Sequence, residues 1–185
     1  MKTLLKLKLG VFVIGMLALT STLTQAQTVA PGPYYATPSW SQQLPASTRF
    51  IVLSNWGSAA VLDRETGLVW ERSPSIGTFT WNGSLASFHC NTLNVGNRKG
   101  WKLPTIQELA SLVDGDPANT SNPRLPPGHP FLTVQSDLYW SATTVAGFPG
   151  AAWGVIFFNG NVNNIGKSFG FPVWCVRGGQ GADPQ

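Results

Sequence analysis

Hydrophobic and polar positions change their period twice along this chain. Phe50-Ile51-Val52-Leu53 is a short apolar run that predicts a strand. Ala60-Val61-Leu62 and Leu68-Val69-Trp70 flank Asp63-Arg64-Glu65-Thr66-Gly67, whose Asp and Gly predict a hairpin turn. The period then becomes helical. Trp81, Leu85, Phe88 and Thr92 recur at spacings of four, three and four, which predicts a helix from near Thr80 with this stripe facing inward. Ala86, Cys90 and Leu93 lie beside the stripe. Gly83 weakens such a helix by about 1 kcal/mol relative to Ala, and Asn94 to Gly100 ends it.

A second helix is marked at both ends. Thr105 stands as N-cap with Glu108 three residues later, a capping box. Ile106, Leu109, Ala110, Leu112 and Val113 give its buried stripe, and Asp114-Gly115-Asp116-Pro117 stops it. From Gly115 to about Gln135 there is no period, and Pro117, Pro123, Pro126, Pro127 and Pro130 interrupt the chain. So long an irregular stretch inside a compact domain is often functional. Strand patterns return at Leu138 to Ala142 and Ala152 to Phe158. Asn159-Gly160 is a two-residue hairpin signal with Asn161 to Ile165 as the return strand, and Pro172 to Arg177 closes the series. Strands, two helices, a long loop and more strands predict an α+β fold with the helices segregated from antiparallel sheets.

The N-terminus has a different character. Lys2, Lys6 and Lys8 precede the apolar run Leu9 to Leu19, and Thr24-Gln25-Ala26 offers small residues for cleavage. This reads as a secretory signal peptide over 1–26, with an uncleaved anchor as the alternative. Residues 27–47 carry Pro31, Pro33, Pro38 and Pro45 and read as a linker; 48–179 would be the domain and 180–185 a disordered tail. Removing the leader removes three of the twelve Lys and Arg and leaves nine against eight Asp and Glu, a net of +1. The basic balance of the whole chain therefore does not point to nucleic acid, and the mature chain holds no second apolar stretch to span a membrane. An exported product would be periplasmic, on the cell surface or extracellular. Its eight tryptophans imply a core of large aromatics. Its two cysteines, Cys90 and Cys175, fit an oxidised pair closing a loop of roughly 85 residues; two free buried thiols are the other reading.

Several segments, in order, resemble a known family: Thr66-Gly67-Leu68-Val69-Trp70-Glu71; Thr80-Trp81 followed by Cys90-Asn91-Thr92-Leu93; Gly100-Trp101-Lys102-Leu103-Pro104-Thr105-Ile106-Gln107-Glu108-Leu109; Tyr139-Trp140-Ser141-Ala142-Thr143-Thr144; and Cys175-Val176-Arg177-Gly178. At these spacings they resemble the Lcl C-terminal domain family, over about residues 60 to 179. The resemblance implies a C-type-lectin-like fold: two helices on small antiparallel sheets, a long irregular loop, and a disulfide Cys90–Cys175 from the first helix to the last strand. It also implies a binding domain, since the adhesin that names the family binds sulfated polysaccharides. Lys102 stands where the family commonly has Arg, and Gly100 where it has Asp.

Candidate chemistry follows from those residues. Asn159, Asn161, Asn163 and Asn164 cluster on the predicted hairpin near Trp153, Phe157 and Phe158, a set suited to sugar hydroxyls and ring faces. The other reading gives the amides to the turn and the aromatics to the core. Arg98, Lys99 and Lys102 surround Trp101 and would pair with sulfates, or simply be solvated. Asp114, Asp116 and Asp137, with Asn119 and Asn122, are weak calcium candidates, because Ca²⁺ takes six to eight oxygens and no tight acidic string occurs. His89 and His129 are isolated, with His89 expected on the helix surface. No nucleophile elbow, phosphate loop or zinc spacing is present, so no catalytic residue and no cofactor are expected. The expected function is recognition of a glycan or polysaccharide. A structural or assembly module with a protein partner at the cell surface is the alternative, and an oxidoreductase related only through the fold is a third.

Overall fold

The computed structural model describes residues 44–178. The leader at 1–26, the Pro-rich stretch up to residue 43 and the tail at 180–185 lie outside the described residues. A short helix, α1 (Ala46–Arg49), opens the described part. Arg49 is 1% exposed. Its guanidinium holds the Asp63 carboxylate through Nε at 2.9 Å and Nη2 at 2.7 Å, and Nη2 also donates to the Ser111 carbonyl at 2.7 Å. A charge so buried is tolerable only with this full set of partners.

The main sheet has five strands in the order β1-β2-β3-β10-β5. These are β1 (Phe50–Val52), β2 (Ala60–Asp63), β3 (Leu68–Glu71), β5 (Trp101–Lys102) and β10 (Val176–Arg177). The predicted hairpin is present: Asp63 faces Leu68 across the turn, where Gly67 adopts φ 70°. Every residue of β2 and β3 is buried, because the sheet lies between two cores. Ala60, Leu62 and Val69 point to one with Trp56, Trp101 and Cys90; Val61, Leu68 and Trp70 point to the other with Leu109, Leu125 and Trp174. Strand alternation sends neighbours to opposite faces. The aromatic expectation is met most fully in the second core, where Trp174 packs on Phe131, Phe157, Trp70 and Tyr139 with centroids 4.8 to 5.9 Å apart.

A three-stranded sheet β6 (Leu138–Val145), β7 (Phe148–Ile156), β8 (Asn161–Gly166) adds Leu138 and Trp140 to one core and Tyr139 and Val155 to the other. A two-stranded ladder pairs β4 (Phe79–Thr80) with β9 (Gly170–Phe171). The Cys90–Cys175 disulfide is formed with Cα atoms 5.4 Å apart, and both cysteines are fully buried. It ties α2 (Leu85–Thr92) to the residue before β10. The architecture is thus α+β, with short helices, small antiparallel sheets and one disulfide.

Four expectations need correction. The first long helix does not start near Thr80, which lies in β4; Gly83 and Ser84, at φ 68° and 59°, break the chain before Leu85. The break resets the helix phase. Ala86 and Cys90 are buried, while Leu85 and Phe88 of the predicted inner stripe are 51% and 63% exposed. The second helix, α3 (Ile106–Ala110), keeps its capping box but ends before the predicted stripe does, and Leu112 is buried from the turn beyond it. The β7–β8 connection uses residues 157–160 rather than two. Phe157 is drawn into the core, and its N–H bonds the Asp137 carbonyl at 2.9 Å. Of the closing strand only Val176–Arg177 pairs in the main sheet; Pro172 has no N–H for a ladder, and its carbonyl accepts from Trp140.

Candidate ligand-binding surface

The segment after α2 doubles back on Trp56. Val95 and Arg98 form an isolated bridge, with Gly96 at φ 60° and Asn97 at φ 57° between them. A Cβ on Gly96 would lie 2.6 Å from the Trp56 Cβ and 2.8 Å from its carbonyl oxygen, so only glycine lets the backbone press this close. Two bonds then anchor the return. Trp101 Nε1 donates to the Arg98 carbonyl at 2.8 Å, and Arg177 Nε donates to the Lys99 carbonyl at 2.9 Å. The guanidinium of Arg98 lies 5.4 Å from the Trp56 ring centroid and that of Arg177 lies 5.5 Å from it. Arg98 and Lys99 are exposed and Arg177 is half-buried. Two cations over one indole, with a third on the same loop, make a positively charged face on a rigid base.

The predicted site residues separate into groups. Arg98 and Lys99 stand together as expected, joined by Arg177, which sequence reasoning did not include. Lys102 does not share their freedom: its Nζ is 2.9 Å from Glu108 Oε1, while Glu108 Oε2 accepts from the Thr105 N–H of the capping box. Two ion pairs are found among the described residues, Arg49–Asp63 and Lys102–Glu108, so no carboxylate there neutralises Arg98, Lys99 or Arg177.

The four asparagines lie on another element. Asn161, Asn163 and Asn164 are exposed on β8, and Asn159 is exposed in the turn before it. Asn159 Oδ1 accepts from Asn161 N–H at 3.0 Å and Asn163 Oδ1 from Asn164 N–H at 2.8 Å. Beside them Phe157 is core, Trp153 is half-buried and Phe158 is 60% exposed. The long loop adjoins this hairpin: Arg124 N–H donates to the Phe157 carbonyl at 2.7 Å, and a Cβ on Gly160 would meet Val113 at 2.6 Å.

The three aspartates shape local turns. Asp114 Oδ1 accepts from Asp116 N–H, Asp116 Oδ1 from Ala118 N–H, and Asp137 Oδ1 from Leu138 N–H. Among the described residues no three His, Cys, Asp or Glu side chains gather as a metal site would require. His89 is not a plain surface residue. It is half-buried against Phe79 with ring centroids 4.3 Å apart, and burial lowers its pKa from the ordinary 6.5. His129 stacks on Phe131 at 5.9 Å, and burial lowers its pKa as well.

Comparison with known families matches residues 59–177 to the Lcl C-terminal domain. The chain belongs to the Lcl C-terminal domain family. The matched span of this Lcl C-terminal domain takes in β2 through β10, the disulfide and the cations Arg98, Lys99 and Arg177, and begins just after Trp56. No curated protein matches the chain. Among the described residues no helix of the domain is long and apolar enough to cross a membrane.

Proposed function

We propose that this Lcl C-terminal domain is an exported, non-enzymatic binding module of C-type-lectin-like architecture whose ligand is a glycan carrying sulfate or carboxylate groups. One observation carries the reading: Arg98 and Arg177 converge on Trp56, the exposed Lys99 stands on the same turn, and no carboxylate among the described residues lies in ion-pair range of the three. Guanidinium groups form short charge-assisted bonds to anionic oxygens. Arg98 Nη1 donates to the Asn97 carbonyl at 3.3 Å, and its exposed side chain keeps further N–H donors for a ligand. The anchored loop pre-pays the ordering cost that would otherwise weaken binding. Membership of the family supports a secreted or surface-associated domain. The tether from α2 to the run into β10, with the long loop against the hairpin, supports the architecture. Both cysteines are oxidised, and both histidines are half-buried against phenyl rings, which supports the absence of catalysis.

A glycan array with the purified protein tests this. Sulfated and uronate-bearing glycans should bind, with affinity falling as salt is raised. EDTA should change nothing, because Asp114, Asp116 and Asp137 serve turns. The double variant Arg98→Glu, Lys99→Glu should lose at least about tenfold in affinity while keeping the wild-type melting curve. Silence on all glycans, equal binding of neutral ones, or wild-type binding by the double variant would each overturn the proposal.

A further inference from the structure

Among the described residues no further strand pairs with the β8 edge of the three-stranded sheet, and the chemistry of that edge is complementary to itself. In the β7–β8 ladder Ala151 faces Gly166, Trp153 faces Asn164 and Val155 faces Val162. Lys167 N–H donates to the Gly150 carbonyl at 2.9 Å. Antiparallel pairs alternate between bonded and non-bonded, so the N–H and C=O groups of Val162, Asn164 and Gly166 point away from β7. Two of these outward groups are occupied. Asn163 Oδ1 takes the Asn164 N–H, and the Phe169 N–H takes the Gly166 carbonyl at 3.1 Å. Both backbone groups of Val162 and the carbonyl of Asn164 stay open among the described residues. Proteins normally blunt such an edge with charge, proline or a bulge. Residues 157–166 contain no charge and no proline. The nearest cation along the chain, Lys167, is turned inward, 2.9 Å from Thr144 Oγ1 and 3.6 Å from the Trp81 ring centroid.

We propose that β8 pairs antiparallel with β8 of a second copy of this chain, about a two-fold axis at Asn163. Val162 of each copy then exchanges two N–H···O=C bonds with Asn164 of the other. Asn163 gives up its own Asn164 N–H and meets Asn163 of the second copy. A side-chain amide carries both donor and acceptor, so the two amides bond reciprocally. The absence of charge removes like-charge repulsion at the axis. The strand ends match too. Phe158 and Phe169, each 60% exposed, flank β8 at opposite ends, and antiparallel pairing brings Phe158 of one copy to the same end as Phe169 of the other. The proposal is independent of the cationic face, which belongs to β5, β10 and the turn before them.

Sedimentation of the purified full chain over a concentration series is the experiment, with Asn163→Lys and Asn163→Asp as variants. Position 163 is exposed, and thermal melting confirms that each variant folds. Wild type should show a reversible monomer–dimer equilibrium. Each variant should dissociate at least about tenfold more readily, because a charge then faces its own copy at the axis. An equimolar mixture of the two variants should recover the dimer. A wild type that stays monomeric at its highest soluble concentration would overturn the proposal, leaving the edge to a strand of another protein. Variants that dimerise as wild type does, or a mixture that recovers nothing, would overturn it as well.

Discussion

Glu71 stands at the end of β3 with 6% of its surface exposed, and its Oε2 accepts the Cys175 N–H at 2.9 Å. Burial pushes its carboxyl from the ordinary 4.5 up to about 7, against the lowering effect of that N–H. The folded state therefore holds a proton on Glu71 over a pH range where the unfolded chain has released it. Stability from this group is complete below about 4.5 and is lost as pH rises through about 7. The full swing is worth about 3 kcal/mol. Glu71→Gln keeps an acceptor for Cys175 and removes the titration. Chemical denaturation at several pH values should show wild type weakening as pH rises from about 4.5 to about 7, while the variant stays flat and is the more stable at the upper end. An equal slope in both proteins would place the pH dependence elsewhere.

At the scale of elements, α2 shows where local pattern fails. Its apolar stripe at Trp81, Leu85 and Phe88 has helical spacing, yet the break at Gly83 and Ser84 and the bond at Cys90 turn the Ala86–Cys90 face inward. Leu85→Ser and Phe88→Ser should therefore each change stability by less than about 0.5 kcal/mol. Ala86→Leu, which overpacks a fully buried site, should cost about 1 to 3 kcal/mol; urea midpoints distinguish the two outcomes. Elements specified by neighbouring residues were legible in the sequence. The Asp63–Gly67 hairpin and the Thr105–Glu108 capping box both form as their residues predict. The β4–β9 ladder was not, because Phe79–Thr80 and Gly170–Phe171 meet across most of the domain and neither pair carries a turn signal. The candidate surface divides the same way. Arg98 and Lys99 show as a local charge cluster, whereas Arg177 joins them only through the β10–β5 pairing. Lys102 looked free because its partner Glu108 was already assigned to the cap, although a carboxylate has a second oxygen.

At the scale of the molecule, residues 173–176 stitch the two cores together. Val173 and Cys175 enter the core that holds α2, while Trp174 and Val176 enter the one that holds α3. The disulfide fixes this segment from one side and the Trp174 cluster from the other. The tether closes a loop of 85 residues, from within α2 through β9, and leaves β1 to β4 and β10 outside. A loop of that length should contribute about 4 to 5 kcal/mol in the chain-entropy account. Reduction, or the pair Cys90→Ala and Cys175→Ala, should lower stability by that order. The loss should not be uniform. In α2 only Ala86 and Cys90 are buried, so without the bond little apolar area holds the helix down, and local opening follows where contacts are few. The β2–β3 hairpin, buried on both faces, keeps its packing. Hydrogen exchange on oxidised and reduced protein should show α2 amides losing protection first and β2–β3 amides only with global unfolding. Uniform loss across both would mean the two cores fail as one unit. Cysteines alkylated without prior reduction would mean that the tether is absent from the protein.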